Sequence, residues 1–357
     1  MHFHENVPLA PLTTFGVGGH ARFFAVATTE DDIHQAFTWA HTQNLPLFIL
    51  GGGSNLLVRD EGFRGLVLKI AILGIHEQPN GQFDVGAGEV WDTFVTQMVE
   101  KGFAGIECLA GIPGSVGGTP VQNVGAYGQE VSETIAAVRV FDRQTQTFIE
   151  LNREQCRFRY RESLFNTDHP NRYVVTRVTF QLRPNAPPTL RYAELRDRLN
   201  NTPLTSLAAS AEDPNTQGLS LSAVAATVKE IRQSKGMLLV EGDPNCRSAG
   251  SFFKNPIVPQ PDLARIAAGA NIPESDVPRW PAADGKIKLP AAWLLEKAGF
   301  IKGFTDGRVG ISSRHTLALI NRGNATFADV ECLQDEIIGV VAEKFCVILE
   351  REPVVLG

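Results

Sequence analysis

Ser251 stands in the stretch AGSFFKNP, Ala249 to Pro256, with two phenylalanines directly behind it and a polar Lys-Asn-Pro turn after them. A hydroxyl is a poor acid, so a lone loop serine usually caps or turns its own backbone. It can give a proton only to an unusually strong base, in a pocket where packed side chains fix its direction and keep water out. Two charged stretches elsewhere could act on such a centre. FRYRESLF carries Arg157, Arg159 and Arg161, each either a solvated surface cation or a guanidinium fork that reads two carboxylate oxygens at once. LEREPV, near the C-terminus, carries Glu350 and Glu352 two residues apart, on one face of a strand.

Three glycine clusters raise a different chemistry. LGGGSNLL follows an apolar run, and successive N–H groups in such a turn can form an anion-binding nest that suits a diphosphate without any basic patch. Alone, it reads more readily as a Gly-rich hairpin turn. AGIPGSVGGTPVQNVGAYG adds six glycines with few large side chains, a long close-approach loop. Two such loops suggest one extended diphosphate cofactor. GVGGHA, Gly16 to Ala21, formally fits the dinucleotide fingerprint, but that pattern must follow a strand and open a helix, and here a strand follows instead. No phosphate-loop motif of the G-x-x-x-x-G-K-[ST] kind is present.

The elements that must position these residues are mixed. Arg22 to Ala27 reads as a strand. Thr29 and Asp32 form a capping box that opens a helix with Ile33, Ala36, Phe37 and Ala40 on one face. LPLFIL and GLVLKI are strands, EVWDTFVTQMVEKG is a helix, and the irregular stretch Gly105 to Glu130 is too long for an idle connection. TIAAVRVFDRQTQTFIEL is a hairpin and RYVVTRVTFQL a strand. SLSAVAATVKEIRQSKG is a helix ending at Gly236, and FADVECLQDEIIGVVAEKF is a last helix before the strand CVILEREPVVLG. The class is α+β. RPNAPP, Arg183 to Pro188, is the best linker, giving domains at 1–185 and 186–357, with the last helix and strand free to return to the first.

The chain has 357 residues, 43% hydrophobic and 20% charged, which excludes wholesale disorder. A net charge of −6 without any Lys/Arg block argues against a nucleic-acid partner. The five scattered cysteines suit free thiols in a reducing cytoplasm better than disulfides or a zinc site, and His2 and His4 read as solvated, so no metal is expected. The N-terminus shows no signal pattern, and no apolar run approaches membrane-spanning length.

TTFGVGG, LGGGSNLL, GIECLAGIPGSVGGTPVQNVGAYG, YRES, GSFFKNP and LEREPV together resemble the UDP-N-acetylenolpyruvoylglucosamine reductase family, in the same order from Thr13 to Val354. The resemblance implies a two-lobed FAD-binding domain of the vanillyl-alcohol-oxidase type and a C-terminal α+β substrate-binding domain. It implies NADPH as hydride donor and a UDP-sugar substrate, in a cytoplasmic monomer serving peptidoglycan synthesis, and with it cell shape and division. GGGSN holds no histidine, which implies non-covalent FAD. TLRYAEL resembles the subgroup whose mobile loop closes a tyrosine, here Tyr192, over the substrate; the segment Asn200 to Gly218 after it is longer than that pattern.

By the same resemblance, Ser251 is the proton donor, Arg161 clamps the substrate carboxylate and Glu352 donates a hydrogen bond to the developing charge. FAD lies against Gly51, Gly52, Gly53, Ser54, Asn55 and Leu56 of one loop. It also meets Gly111, Ile112, Pro113, Gly114, Ser115, Gly117, Gly118, Asn123, Gly125, Ala126 and Tyr127 of the other. Lys235 and Asn255 are candidate diphosphate contacts. Trp280 is either a uracil platform or a surface anchor, and His315 either a substrate-side polar group or a satisfied core histidine.

Overall fold

Thr29 opens the first helix as its composition requires. Its hydroxyl accepts from the Asp32 N–H and the Asp32 carboxylate accepts from the Thr29 N–H, a complete capping box at the start of α1, Glu30–Thr42. Ile33, Ala36 and Ala40 are buried on the face the periodicity named. The computed structural model describes residues 1–200 and 219–357. The remaining helices are α2, Trp91–Glu100; α3, Ala193–Asn200; α4, Leu221–Ser234; α5, Leu263–Ala270; α6, Ala291–Ala298; and α7, Phe327–Phe345. Among the described residues no helix is long and apolar enough to cross a membrane.

The chain falls into two compact units, and neither is continuous in sequence. Unit 1 comprises Met1–Val7, Ala21–Gly52 and Arg64–Gln233; unit 2 comprises Pro8–His20, Gly53–Phe63 and Ser234–Gly357. The boundary expected after Asn185 does not coincide with this division. Arg183–Pro184 pairs with Phe103–Ala104 as a short antiparallel ladder, and the Thr189 N–H donates to Glu107, so this segment stays within unit 1. The long loop singled out at Asn200 to Gly218 lies outside the described residues beyond Asn200.

Among the described residues unit 1 holds two larger sheets besides two short two-stranded ladders. In the first, the strands run in the order His4–Pro8, His20–Ala27, Phe63–Ile70, Leu47–Leu50, the last pair parallel. In the second, the hairpin Ile135–Asp142 and Thr147–Asn152 is extended antiparallel by Tyr173–Gln181, Gln82–Gly86 and Ile75–Gln78. One apolar core joins them, with Trp91, Phe94, Phe83 and Phe180 fully buried. Val90, inside the stretch read as the second helix, is its exposed N-cap.

Unit 2 packs α5, α6 and α7 around a second core that contains Phe252, Phe253, Phe15 and Leu57. Its early segments join the late ones by long-range pairing: Leu56–Val58 runs parallel to Val354–Leu356. The Asp60 carboxylate accepts from the Phe327 and Ala328 N–H groups at the start of α7, where free donors and the helix dipole favour an acid.

Candidate active site

In unit 1 the long glycine loop is fastened along one edge to the segment that opens α2. The Val116 and Gly117 N–H groups donate to Glu89 and Ala87, and the Trp91 N–H donates to Gly114. Gly111 is held from both sides: its N–H donates to Asp92 at 2.6 Å, and its carbonyl accepts from Arg232 Nε at 2.9 Å. Its backbone polar groups are therefore committed within the protein.

The first glycine turn packs on the second. A side chain on Gly52 would come within 2.6 Å of the Gly114 Cα, so glycine is required there by the close approach of two backbones. Beside this contact the protein is less complete. A Cβ on Gly51 would stand 2.9 Å from Ser115 Oγ, and one on Gly118 would meet nothing nearer than the same oxygen at 4.0 Å. Ser115 Oγ is buried with no hydrogen-bond partner among the described residues, and the N–H groups of Gly51, Gly52, Gly114 and Ser115 have none either. Buried polar groups without partners are rare and costly. A cradle of N–H and O–H donors with room beside it fits the diphosphate of a dinucleotide.

The far end of the same loop carries backbone strain. Asn123, Tyr127 and Arg161 all have left-handed φ, at 45°, 49° and 59°. Such conformations in residues other than glycine cluster at functional sites. Asn123 is 1% exposed and its side chain is fully engaged. Its NH2 group donates to Glu130 and to the Arg159 carbonyl, and its oxygen accepts from Ser132. It has only its backbone left for a ligand.

Arg161 Nη2 donates to the Gly125 carbonyl at 2.8 Å, which ties the arginine to the Gly125–Ala126 turn. Its neighbours in the basic run are spent otherwise, Arg159 on Glu162 and Asp168, and Arg157 on Asp168. Tyr127 sets its ring edge-on to Tyr192, with centroids 5.4 Å apart, and its phenol is hydrogen-bonded to Arg232. Burial pushes that phenol up to about 12 against the pull of the guanidinium, so it stays protonated.

Arg232 is a residue that the sequence reading missed. It is 5% exposed in α4 and shares the buried face of Ala225 and Val228, seven and four residues earlier. A cation in that register was the available signal.

Unit 2 brings Ser251, His315 and Glu352 into one neighbourhood. Ser251 Oγ lies 3.4 Å from His315 Nε2. The Phe252 N–H donates to the Leu317 carbonyl at 2.8 Å, and the Phe252 carbonyl accepts from the Glu352 N–H at 2.9 Å. The serine is thus pinned between the histidine loop and the terminal segment. Phe252 and Phe253, 0% and 1% exposed, anchor the segment behind it. Glu350 is separated from Glu352 by its surroundings: its side chain is 74% exposed and paired with Lys254.

Asn55 holds the same terminal segment. Its carbonyl accepts from Val354 and its side chain donates to the Glu352 carbonyl at 3.4 Å, while Leu56 pairs with Val354. Gly53 has φ of 68° and no room for a side chain beside the Leu12 carbonyl, and the Ser54 carbonyl accepts from Thr14. Asn55 and Leu56 therefore support Glu352 directly.

The remaining predicted contacts are dispersed. Asn255 Oδ1 accepts from the Ala291 N–H at the start of α6. Lys235 follows the C-terminus of α4, before Gly236 at φ of 64°. Trp280 is 48% exposed, under Lys288 at 5.7 Å. A cavity of about 580 Å³ in unit 2, lined by Thr14, Val240, Cys246 and Arg247 among others, includes none of the predicted residues.

The C-terminal domain model of UDP-N-acetylenolpyruvoylglucosamine reductase matches residues 243–356, and an FAD binding domain model matches residues 21–151. The reductase of Streptomyces avermitilis is 44% identical, with 100% of this chain and 96% of the relative covered. That of Thermobifida fusca is 44% identical over 99% and 98%, and that of Pseudomonas aeruginosa 37% over 99% and 98%. The chain belongs to the UDP-N-acetylenolpyruvoylglucosamine reductase family. The crystal structure of the reductase from Thermus caldophilus superposes with a TM-score of 0.66 at 26% identity, covering all of both chains. Membership makes this an FAD-dependent oxidoreductase of the α+β class expected, with an FAD-binding domain and a C-terminal domain of the reductase family. The donor-rich cradle at Gly51, Gly52, Gly114 and Ser115 fits that cofactor.

Proposed function

We propose that the protein reduces UDP-N-acetylglucosamine-enolpyruvate to UDP-N-acetylmuramate with NADPH, through non-covalent FAD, and that Ser251 delivers the proton. The observation that carries the residue assignment is the Ser251 hydroxyl 3.4 Å from His315, on a segment bonded through Phe252 to Glu352. FAD, when bound, supplies the hydride relay from NADPH to the enolpyruvyl methylene carbon.

Hydride addition drives charge through C2 into the substrate carboxylate. Arg161 clamps that carboxylate, because its fork reads two oxygens and keeps its charge. Glu352, in its protonated form, donates a hydrogen bond to the developing dianion. C2 of such a species is basic enough for a hydroxyl to protonate it. The Ser251 Oγ–H bond breaks as the C2–H bond forms, and His315 orients the hydroxyl. The buried phenylalanines behind Ser251 restrict delivery to one face.

Gly51, Gly52, Ser115 and Gly118 receive the FAD diphosphate, and Tyr127 and Tyr192 flank the ligand pocket. Lys235 serves the UDP diphosphate with Asn255 as a neighbouring polar contact, and Trp280 serves the uracil. The reaction belongs to peptidoglycan precursor synthesis, and through it to cell shape and division. All five cysteines are free thiols, which supports a reducing cytoplasm as the setting, with the chain acting as a monomer.

An anaerobic visible spectrum tests the reading. NADPH should bleach the flavin, and UDP-N-acetylglucosamine-enolpyruvate alone should restore it. Reoxidation only on admitting air would replace the reductase with an oxidase.

A further inference from the structure

Glu107 is 0% exposed, and no ion-pair partner stands beside it among the described residues. A carboxylate in a core is expensive unless its oxygens are satisfied. Glu107 meets that requirement with three N–H donors: Gly105 at 2.7 Å, Gln129 Nε2 at 2.9 Å and Thr189 at 2.7 Å. The first is local, but the other two reach 22 and 82 residues along the chain. Cys108 completes the arrangement. Its N–H donates to Gln129 Oε1 at 2.8 Å and its thiol donates to the Thr189 carbonyl at 3.2 Å. Burial, reinforced by the neighbouring Glu107, pushes that thiol well above its ordinary range, so it remains a donor.

Both backbone polar groups of Thr189 are therefore gripped by two consecutive side chains. Three residues later the chain presents Tyr192, 39% exposed, with its ring against Tyr127. Between them, Arg191 lies on Gly128, where a side chain would stand 2.8 Å from its Cβ, and pairs with Glu133 at 2.6 Å. That ion pair is exposed and contributes little. Three extended residues reach about 10 Å, so whatever fixes Thr189 sets the arc through which Tyr192 can move.

We propose that Glu107, assisted by Cys108, is a positioning residue that fixes Thr189 as the pivot of the tyrosine-bearing arm. This rests on the reading of Tyr192 as a substrate contact. Glu107 touches no ligand; it acts through Thr189 on where Tyr192 comes to rest. A purely structural buried carboxylate would affect folding and flavin content alike, without favouring the second substrate.

The test is a double-mutant cycle on the FAD-loaded enzyme. Glu107→Gln keeps the volume but removes the carboxylate charge that strengthens the Thr189 and Gln129 bonds, both of which end on Oε1. It should raise KM for the enolpyruvyl substrate about tenfold, the scale of one lost charge-assisted hydrogen bond. Flavin content and the rate of flavin reduction by NADPH should stay within about twofold. In a Tyr192→Ala background the same substitution should change KM by less than about twofold. Additive effects in the cycle overturn the pivot. A Tyr192→Ala variant with unchanged KM overturns the reading of Tyr192 and the pivot with it. If Glu107→Gln does not fold, Cys108→Ala releases the Thr189 carbonyl alone and should raise KM about threefold; an unchanged KM then overturns the proposal.

Discussion

Ser251 and Ser115 are held in opposite ways. Ser251 stands directly before two buried phenylalanines, the first of which is bonded through its backbone to Leu317 and Glu352, and its hydroxyl lies 3.4 Å from His315 Nε2. Ser115 is buried beside Gly51, Gly52 and Gly114, and among the described residues neither their N–H groups nor its hydroxyl has a partner. The contrast separates two tasks. A group that must give a proton along one direction needs a satisfied, rigid support, because misplacement costs rate steeply. A group that must receive a polyanion is left wanting partners, and the deficit is made good when the ligand arrives.

The largest expected effect tests the first half of that contrast. Ser251→Ala should slow flavin reoxidation by the enolpyruvyl substrate about a thousandfold, within the range for removing a positioned proton donor. Flavin reduction by NADPH should change less than about threefold. Single-turnover stopped-flow measures both, and equal losses in the two half-reactions would remove the proton-donor role. Glu352→Gln should cost about a hundredfold in the same half-reaction.

The second half is tested by two glycines. Gly52→Ala forces a Cβ to 2.6 Å from the Gly114 backbone, so the apoprotein itself should lose stability, by about 2 kcal/mol in a denaturant titration. Gly118→Ala meets only the Ser115 oxygen at 4.0 Å, so the apoprotein should melt as the parent does while FAD affinity falls about tenfold. An unchanged FAD affinity for Gly118→Ala would mean that the space beside Ser115 is not the ligand's.

How much of this was legible in the sequence depends on the range of the forces. The capping boxes at Thr29 and Thr326 are local chemistry, and the helices they open lie where the letters placed them. The partition into units was not legible. Pro8–His20 and Gly53–Phe63 join the C-terminal residues through the pairing of Leu56–Val58 with Val354–Leu356, nearly 300 residues apart. A Pro-rich stretch advertises a linker, yet Thr189 beyond it is fastened back to Glu107. The candidate reacting residues stand out by type and motif, whereas Arg232 and Glu107, which hold the loops, look in sequence like a helix cation and a surface acid.

A smaller effect concerns Tyr127. Its folded phenol titrates about 12 against about 10 unfolded, so the native state keeps its proton when the unfolded chain has lost it. That contribution is fully present below pH 10 and is lost as pH rises from about 10 to about 12, to a limit near 2 to 3 kcal/mol. Tyr127→Phe should flatten this part of the stability–pH curve in chemical denaturation, and a parallel decline in both proteins would assign the alkaline loss elsewhere.

The smallest expected effects are the sharpest controls, because they concern neighbours of the same type. Arg159 is paired with Glu162 and Asp168 on the surface, and Glu350 with Lys254. Exposed pairs contribute about 0 to 1 kcal/mol, so Arg159→Ala and Glu350→Gln should leave kcat and KM within about twofold. Arg161→Ala, two residues from the first, should lower kcat/KM for the enolpyruvyl substrate at least a hundredfold, the scale of losing a charge clamp on a transition state. A large loss from Arg159→Ala would mean that the basic run acts through its summed field. Left-handed Arg161, bonded to the Gly125 carbonyl, would then be a loop fastener and no more. A near-silent Arg159 beside a crippled Arg161 would show that the strained backbone serves to aim one guanidinium among three.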